Sequence, residues 1–177
     1  MMSFHGTTIL AVRNKGKAAV AGDGQVTLNN TIIKHKAKKV RKIYNDRIIV
    51  GFAGATADAL NLSERLEAKL ERYNGNLTRS AVELARDWRT DKYLRRLEAI
   101  MIAVDENNMF VISGNGDVID PDEGVMGIGS GGASAQAAAT ALIRHADMDA
   151  ADIVKEAMKI AGSICAFTND VVTIEEL

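Results

Sequence analysis

The residues with the clearest chemical meaning lie near the N-terminus, where Gly6, Thr7 and Thr8 follow one another. Inside a chain a threonine here is an ordinary strand residue, but a cut after Gly6 would make Thr7 the first residue. Its α-amine, with a pKa of about 7.7–8.0, would then lie within reach of its own hydroxyl, so one residue would supply nucleophile and base. Gly6 suits such a cut because it has no side chain to obstruct attack of the Thr7 hydroxyl on its carbonyl.

A glycine-rich segment, Gly127–Gly132, matches G-x-G-x-x-G and precedes a predicted helix. Such a turn can hold a nucleotide phosphate on the N–H groups of a helix start. The dinucleotide motif follows a long buried strand in a strand–helix–strand unit, whereas the strand here is short and a second helix follows the first. A tight strand-to-helix turn is a simpler interpretation than phosphate binding. A third interpretation is that the turn displays Ser130 for chemistry.

The segment Lys34–Lys42 is strongly basic. A solvated surface or an anion-binding patch would explain the charge, and the absence of an aromatic residue before Tyr44 argues against stacking on nucleobases. One lysine on the apolar side of this segment would gain a lowered pKa on burial and become available for catalysis. The lone Cys165 ends an apolar helix pattern and is expected to be a buried structural thiol.

The elements that must position these residues come in alternating strand-rich and helix-rich stretches. Apolar and β-branched runs predict strands at 7–13, 17–21, 31–33, 47–52, 99–104, 109–113, 118–119, 125–128 and 171–174. Helical periodicity predicts helices at 58–74, from about 78–80 to 97 with a capping box at Ser80 and Glu83, at 131–145 and at 149–161. This order is not the regular alternation of a parallel sheet, so we predict an α+β domain of antiparallel sheets with helices on their outer faces.

Composition excludes several classes of protein. The chain has 177 residues, of which 47% are apolar and 25% charged, as expected for one globular domain. A net charge of −1 gives no general attraction to nucleic acid or membranes. No apolar stretch approaches about 18 residues and no secretory signal is present, so we expect a cytoplasmic protein. One cysteine forms no internal disulfide, and the three histidines show no zinc-site spacing.

A set of short motifs is spread over the chain from Thr7 to Leu177. They are Gly6–Ile9, Gly22–Thr27, Lys38–Arg41, Gly51–Gly54, Ala57–Ala59, Ala81–Ala85, Asp87–Arg89, Gly114–Gly116, Ile128–Gly132 and Thr173–Leu177. Together they closely resemble the HslV (ClpQ) family, the proteolytic subunits of bacterial ATP-dependent proteases and relatives of proteasome β subunits. The resemblance implies the N-terminal-nucleophile fold, a four-layer αββα sandwich of two antiparallel sheets between helix layers.

The resemblance also implies a catalytic site. Thr7 would be the nucleophile, and the Lys39 ammonium would lower the cost of ionising its hydroxyl and keep its α-amine neutral. Asp23 would hold that lysine by a charge-assisted hydrogen bond. Ser130 would orient the Thr7 amine, and the Gly51 N–H would form the oxyanion hole.

The same resemblance implies processing and an ion. Residues 1–6 would be a propeptide, and residues 7–177 a single peptidase domain. A sodium ion would be bound through backbone oxygens at Gly162, Cys165 and Thr168. No ATP would be bound by this chain, in which the pattern G-x-x-x-x-G-K-[ST] is absent.

The implied activity is that of a self-compartmentalised threonine peptidase that degrades unfolded proteins. The chain would assemble into a double hexameric ring, and an HslU-type AAA+ unfoldase ring would deliver substrates, its C-terminal tails docking at Lys34 and Arg41. Nucleic acid and membranes are not expected partners. Two alternatives remain: an N-terminal-nucleophile amidohydrolase acting on small amides, and a nucleotide-binding regulatory domain that uses Gly127–Gly132.

Overall fold

The computed structural model describes residues 4–54, 56–97 and 99–177, so part of the expected propeptide lies outside it. The strands are β1 (Phe4–His5), β2 (Thr8–Asn14), β3 (Lys17–Asp23), β4 (Val26–Leu28), β5 (Thr31–Lys34), β6 (Val40–Ile43), β7 (Ile48–Gly54), β8 (Ala99–Val104), β9 (Met109–Ser113), β10 (Val118–Ile119), β11 (Val125–Gly129) and β12 (Val172–Glu176). The helices are α1 (Thr56–Arg72), α2 (Leu77–Thr90), α3 (Gly132–His145) and α4 (Ala150–Ile164), with a 3₁₀ turn at Leu94–Arg96.

Two large antiparallel sheets form the centre of the molecule. One has the strand order β10-β9-β8-β7-β6 and the other β11-β2-β3-β12, while β1, β4 and β5 form a small third sheet. Strand β2 shows why the two large sheets face each other. Its side chains alternate, so that Ile9 and Ala11 pack between the sheets while Leu10 and Val12 pack under α3 and α4.

The helices cover the outer faces of these sheets. Leucines at helical spacing on α1, Leu62, Leu66 and Leu70, are fully buried with Val50 and Phe52 of β7. Helices α3 and α4 bury small and apolar residues against the other large sheet. The layers therefore run helix, sheet, sheet, helix, and the expected α+β four-layer sandwich is confirmed. Among the residues described, no helix is both long enough and apolar enough to span a membrane.

The beginning of α2 differs from the prediction. Asn76 is the N-cap, and its side chain accepts a hydrogen bond from the backbone N–H of Arg79 at 2.9 Å. Ser80 lies inside the helix and is fully buried, so the predicted capping box with Glu83 is wrong. The residue type alone does not choose between neighbouring caps, because burial of the Ser80 face depends on packing against distant residues.

The end of α2 also differs from the prediction, which carried the helix to residue 97. The helix ends at Thr90, and the Asp91 carboxylate accepts hydrogen bonds from the N–H groups of Tyr93 and Leu94. This local turn starts the short 3₁₀ segment and competes with helix continuation.

Three strands, β1, β4 and β6, were absent from the prediction. Strand β6 lies within the basic segment, where charged side chains hide the strand pattern. Its pairing with β7 places Val40 opposite Gly51 and buries Val40 between the sheets. The strand thus begins directly after Lys39 and determines where that lysine lies.

Candidate active site

The Gly6–Thr7 bond lies at the centre of a cluster of polar groups. Thr7 Oγ1 donates a hydrogen bond to the Gly6 carbonyl oxygen at 2.9 Å, so the hydroxyl lies against the carbonyl that it would attack. Gly6 has a φ of 100°, in the region that side-chain-bearing residues rarely adopt. A Cβ there would lie 3.0 Å from the Phe167 carbonyl oxygen and 3.2 Å from Thr27 Oγ1. Backbone angle and available space both require glycine.

Lys39 brings its ammonium group to the same carbonyl. Its Nζ donates to Gly6 O at 2.6 Å, to Asp23 Oδ1 at 2.8 Å and to Gln25 O at 2.5 Å. Only 9% of the lysine side chain is exposed. Burial lowers the pKa of Lys39, and the Asp23 carboxylate opposes that change. The basic segment therefore contains the buried lysine that its sequence allowed for.

Asp23 ends β3 and is fully buried. Its Oδ1 accepts hydrogen bonds from Lys39 and, at 2.8 Å, from the Thr8 N–H. Its Oδ2 accepts from the N–H groups of Gln25 at 3.0 Å and Asn169 at 3.5 Å. These donors compensate the burial of the carboxylate. Asp23 thus fixes Lys39 relative to β2, the strand that starts directly after Thr7.

The glycine-rich segment is held against the start of β2. Ser130 N donates to the Thr7 carbonyl at 2.8 Å, and Gly131 N donates to Thr8 Oγ1 at 2.8 Å. The Thr8 hydroxyl also lies 2.6 Å from Thr168 Oγ1. Ser130 therefore contacts Thr7 through its backbone, while its side chain is exposed.

These bonds leave little in the segment for a phosphate. The N–H groups of Ser130 and Gly131 are engaged with β2, and that of Gly127 donates to Gln136 Oε1 at 3.0 Å. A Cβ on Gly127 would lie 2.2 Å from the Gly132 carbonyl oxygen, so the chain folds tightly on itself here. The glycines serve a close strand-to-helix turn, and the geometry gives no support to nucleotide binding.

The hydrogen bonds described for the Lys39 ammonium do not involve Gly51. Gly51 lies inside β7, paired with Val40 on one side and with Ile102 on the other. Pairing on both edges commits its N–H to the sheet. A Cβ there would lie 2.6 Å from Ile9 Cγ2, so close packing between the sheets accounts for this glycine.

The expected sodium ligands lie at the end of α4. Cys165 is the C-cap, and its carbonyl accepts a hydrogen bond from Thr168 N at 3.1 Å. Thr168 is buried, but Cys165 is only partly buried, so the expectation of a buried thiol is wrong. The cause is its position after the last helical turn, where the chain leaves the packed face of α4.

The donor chemistry of this turn fits a hard cation. The ligands that the resemblance implies here are backbone oxygens. In the described part of the chain no group of three His, Cys, Asp or Glu side chains suited to a metal occurs. The last carbonyl groups of a helix lack intrahelical partners and carry partial negative charge. Gly162 lies within the last turn of α4, and Thr168 lies three residues beyond Cys165.

Comparison with known proteins extends the argument from the cluster to the whole chain. The family model described as "Proteasome subunit" matches residues 3–177. The chain belongs to the proteasome family. Within that family, HslV is the branch that its sequence resembles.

Two curated members of the proteasome family carry the name "ATP-dependent protease subunit HslV". The protein of Sulfurihydrogenibium sp. (strain YO3AOP1) is 62% identical over 100% of this chain and 99% of its own length. That of Aquifex aeolicus (strain VF5) is 60% identical over 99% of this chain and 100% of its own. The expected resemblance is confirmed, and this member of the proteasome family is a threonine protease.

Solved structures also resemble this chain. The crystal structure of eukaryotic HslV from Trypanosoma brucei matches with a TM-score of 0.92 at 46% identity, covering 96% of this chain and 98% of that one. Thiobacillus denitrificans BPH matches with a TM-score of 0.72 at 16% identity, covering 96% of this chain and 97% of that one, which is a likeness of fold alone.

Sequence reasoning missed three polar residues of this proteasome-family site. Thr8, Gln25 and Asn169 each contact Asp23 through a backbone N–H. Gln25 also accepts a hydrogen bond from Lys39 through its carbonyl. Threonine, glutamine and asparagine at these positions do not by themselves indicate catalysis. The sequence offered one indication for Thr8 and Gln25, which is that they lie within the shared motifs.

Proposed function

We propose that this chain is the peptidase subunit of an ATP-dependent protease for unfolded polypeptides, with Thr7 as the nucleophile after loss of residues 1–6. One observation carries the proposal: Thr7 Oγ1, at 2.9 Å, and Lys39 Nζ, at 2.6 Å, converge on the carbonyl oxygen of Gly6. A hydroxyl and a cation at one carbonyl are the parts that acyl transfer needs, held close before reaction.

The arrangement is that of the uncut precursor. Thr7 Oγ1 adds to the Gly6 carbonyl carbon, and Lys39 stabilises the oxyanion that forms. The bond from that carbon to the Thr7 nitrogen breaks, leaving an ester on Oγ1, and the nitrogen takes the proton that the hydroxyl gave up. Water then hydrolyses the ester. Residues 1–6 leave with a carboxylate on Gly6, and Thr7 keeps a free amine and hydroxyl.

The cut chain has the base that the precursor lacks. As Thr7 Oγ1 attacks a substrate carbonyl, the α-amine takes its proton and passes it to the departing amine. The adjacent Lys39 charge disfavours protonation of the α-amine and so keeps it available as a base. The exposed Ser130 hydroxyl, next to Thr7, orients the amine.

The substrate oxyanion needs a free N–H donor. Gly51 was expected to supply it, but its place inside the sheet argues for the end of β7 instead. Gly54 is exposed there, and the Cβ of its neighbour Ala53 lies 3.3 Å from the position a Cβ would take on Gly129. Gly129 precedes Ser130, so this strand end lies beside the Thr7 segment.

The name of the relatives supports the proposed energy supply. Their name specifies ATP dependence, whereas this chain lacks the phosphate-binding pattern G-x-x-x-x-G-K-[ST]. We therefore assign ATP hydrolysis to an HslU-type AAA+ unfoldase ring, which feeds a cytoplasmic, double hexameric ring of this chain. Exposed apolar side chains support subunit contacts: Ile32, Ile33 and Ile164 are 43%, 53% and 67% exposed.

A sodium ion belongs to the proposal as a structural group. Backbone oxygens of Gly162, Cys165 and Thr168 would hold it, and when bound it would supply a fixed positive charge at the end of α4. Thr168 connects this turn to Thr8 through its hydroxyl contact of 2.6 Å. A well-ordered turn would thus help to hold the start of β2 in place.

Intact mass and peptide hydrolysis test the proposal. The purified protein should have lost residues 1–6 and should hydrolyse a fluorogenic peptide. Thr7→Ala should retain Gly6 and show no hydrolysis, because the variant lacks the nucleophile for both reactions. Thr90→Ala, which removes an exposed threonine hydroxyl from α2, is the control and should behave normally. A Thr7→Ala protein that is cut and active at the normal rate would contradict the mechanism.

A second assay separates a protease from an amidohydrolase of small amides. With the unfoldase and ATP, the chain should degrade an unfolded protein to peptides. Turnover of small amides without degradation of unfolded protein would favour the amidohydrolase.

A further inference from the structure

Asn169 is a polar residue that the proposed mechanism does not use. It lies in the turn between α4 and β12, and its side chain bonds to two segments. Its Oδ1 accepts a hydrogen bond from Gly24 N at 3.0 Å, and its Nδ2 donates to the His35 carbonyl at 3.0 Å. One amide group therefore connects the residue that follows β3 with the loop that leads to Lys39.

That loop has little regular structure of its own. Residues 35–39 lie between β5 and β6 outside any strand or helix, and the side chains of His35, Lys36 and Lys38 are exposed. Besides Asn169, its contact with the corner after β3 includes a bond from Ala37 N to Gly24 O at 2.9 Å. Lys39 itself is tied to β7 by a bond from Phe52 N to its carbonyl oxygen at 3.2 Å. The residues before it lie outside the sheets and depend on such individual hydrogen bonds for their position.

The corner after β3 is the fixed side of this arrangement. Gly24 lies so close to the loop that a Cβ on it would stand 2.2 Å from the His35 carbonyl oxygen. The backbone N–H of Asn169 donates to Asp23 Oδ2 at 3.5 Å. Asn169 therefore bonds both to the carboxylate that holds Lys39 and to the loop that carries it.

We propose that Asn169 is a positioning residue for Lys39, and this inference rests on the proposed function. Its amide holds the loop against the corner after β3, which keeps Lys39 Nζ among its three acceptors, Gly6 O, Asp23 Oδ1 and Gln25 O. An amide suits the role because it accepts from one segment and donates to the other. Alanine would remove both bonds, and glutamine would keep the amide on a longer stem.

Loss of these bonds has two consequences. First, the loop moves and Lys39 is misplaced, and a displacement of about 1 Å at a reacting group can cost on the order of 100-fold in rate. Second, water reaches Lys39. Since burial lowers the pKa of Lys39, hydration moves that pKa upward, with Asp23 and, in the cut chain, the Thr7 amine as the charged groups facing it.

The sign of the pH effect follows from the charge state. Lys39 acts as an ammonium, so kcat falls as the pH rises through the pKa of Lys39. A higher pKa therefore moves the alkaline limb of the kcat profile to higher pH. A change that only reduced the folded fraction would lower kcat at every pH and leave that limb in place.

The experiment uses the full chain and a fluorogenic peptide, with the processed fraction measured by intact mass. Asn169→Ala should lower kcat per processed chain by at least about tenfold with KM little changed, and should move the alkaline limb upward. Asn169→Gln should recover part of kcat. This variant also tests the proposal if the alanine variant does not fold. The control is Asn14→Ala, which removes an amide bond of 2.8 Å to the Met148 carbonyl at the other end of β2 and should leave both readouts unchanged.

Contrary outcomes separate the two hypotheses. Unchanged kcat and alkaline limb in Asn169→Ala, or equal losses in Asn14→Ala, would overturn the role of Asn169 alone. Peptide hydrolysis that survives in Thr7→Ala would overturn the proposed function itself.

Discussion

At the scale of the residue, the proposed cut after Gly6 depends on the geometry of Gly6. Its φ of 100°, and the Phe167 carbonyl oxygen that would lie 3.0 Å from a Cβ, allow no side chain without strain. Gly6→Ala should therefore slow the cut, and intact mass should show chains that retain residues 1–6. Gly16→Ala is the matched control, because Gly16 also has a positive φ, 76°, but nothing lies within 4 Å of its Cβ position. Equal processing of the two variants would refute the steric argument.

Lys39 is distinguished from its neighbours by burial rather than by residue type. We expect Lys39→Ala to reduce the rate of peptide hydrolysis by at least about 100-fold, because an electrostatic partner of the reaction is lost. Lys36 and Lys38 are exposed, so Lys36→Ala and Lys38→Ala should be mild. Steady-state rates of hydrolysis of one peptide decide between a specific role of Lys39 and a general role of the basic segment. Similar losses in all three variants would instead favour an anion-binding patch.

At the scale of the element, the turn after α4 connects an expected ion site to the nucleophile's strand. Sodium that binds only the folded turn should raise the melting temperature and speed hydrolysis. We predict a higher Tm and a higher kcat in sodium chloride than in choline chloride. Equal ionic strength in the two buffers is the control, since it keeps screening the same. Identical Tm values and rates in the two salts would contradict the proposed sodium site.

At the scale of the whole molecule, the proposed unfoldase would dock on exposed cations near the site. Lys34 is exposed at the end of β5 and Arg41 is partly buried in β6, on either side of Lys39 in sequence. A carboxylate at the end of an unfoldase tail would bind two such cations. Neutralising both should reduce stimulation by the unfoldase and ATP more than it reduces basal peptide hydrolysis, and added salt should weaken stimulation of the unmodified protein.

The control for this prediction removes the same charge from the same segment. Lys36→Ala with Lys38→Ala should leave stimulation close to normal. Full stimulation of the Lys34→Ala, Arg41→Ala variant would move docking to the first helix, where Asn61 is exposed. Ser63 of that helix is buried at 3% exposure and is unavailable for docking.

Much of the fold was predictable because its signals are local. The spacing of Leu62, Leu66 and Leu70 predicted α1, and the turn at residues 105–108 predicted the hairpin of β8 and β9. Strand β6 was not predictable in this way. It is defined by its pairing with β7, while its own residues do not alternate: two adjacent charged residues, Arg41 and Lys42, stand between the buried Val40 and Ile43.

The same distinction between local signals and long-range contacts applies to the candidate site. The chain itself determined the types that can react: a glycine before a threonine, and a lysine-rich segment in which one lysine could be buried. Motif resemblance singled out Lys39 and Asp23. Only the tertiary structure decided that Lys39 lies on the Gly6 carbonyl, that Gly51 is engaged inside a sheet, and that Asn169 contacts residues more than 130 positions away. The physical reason is that reactivity belongs to the side chain, whereas hydrogen bonds between distant segments exist only after the sheets and helices have packed.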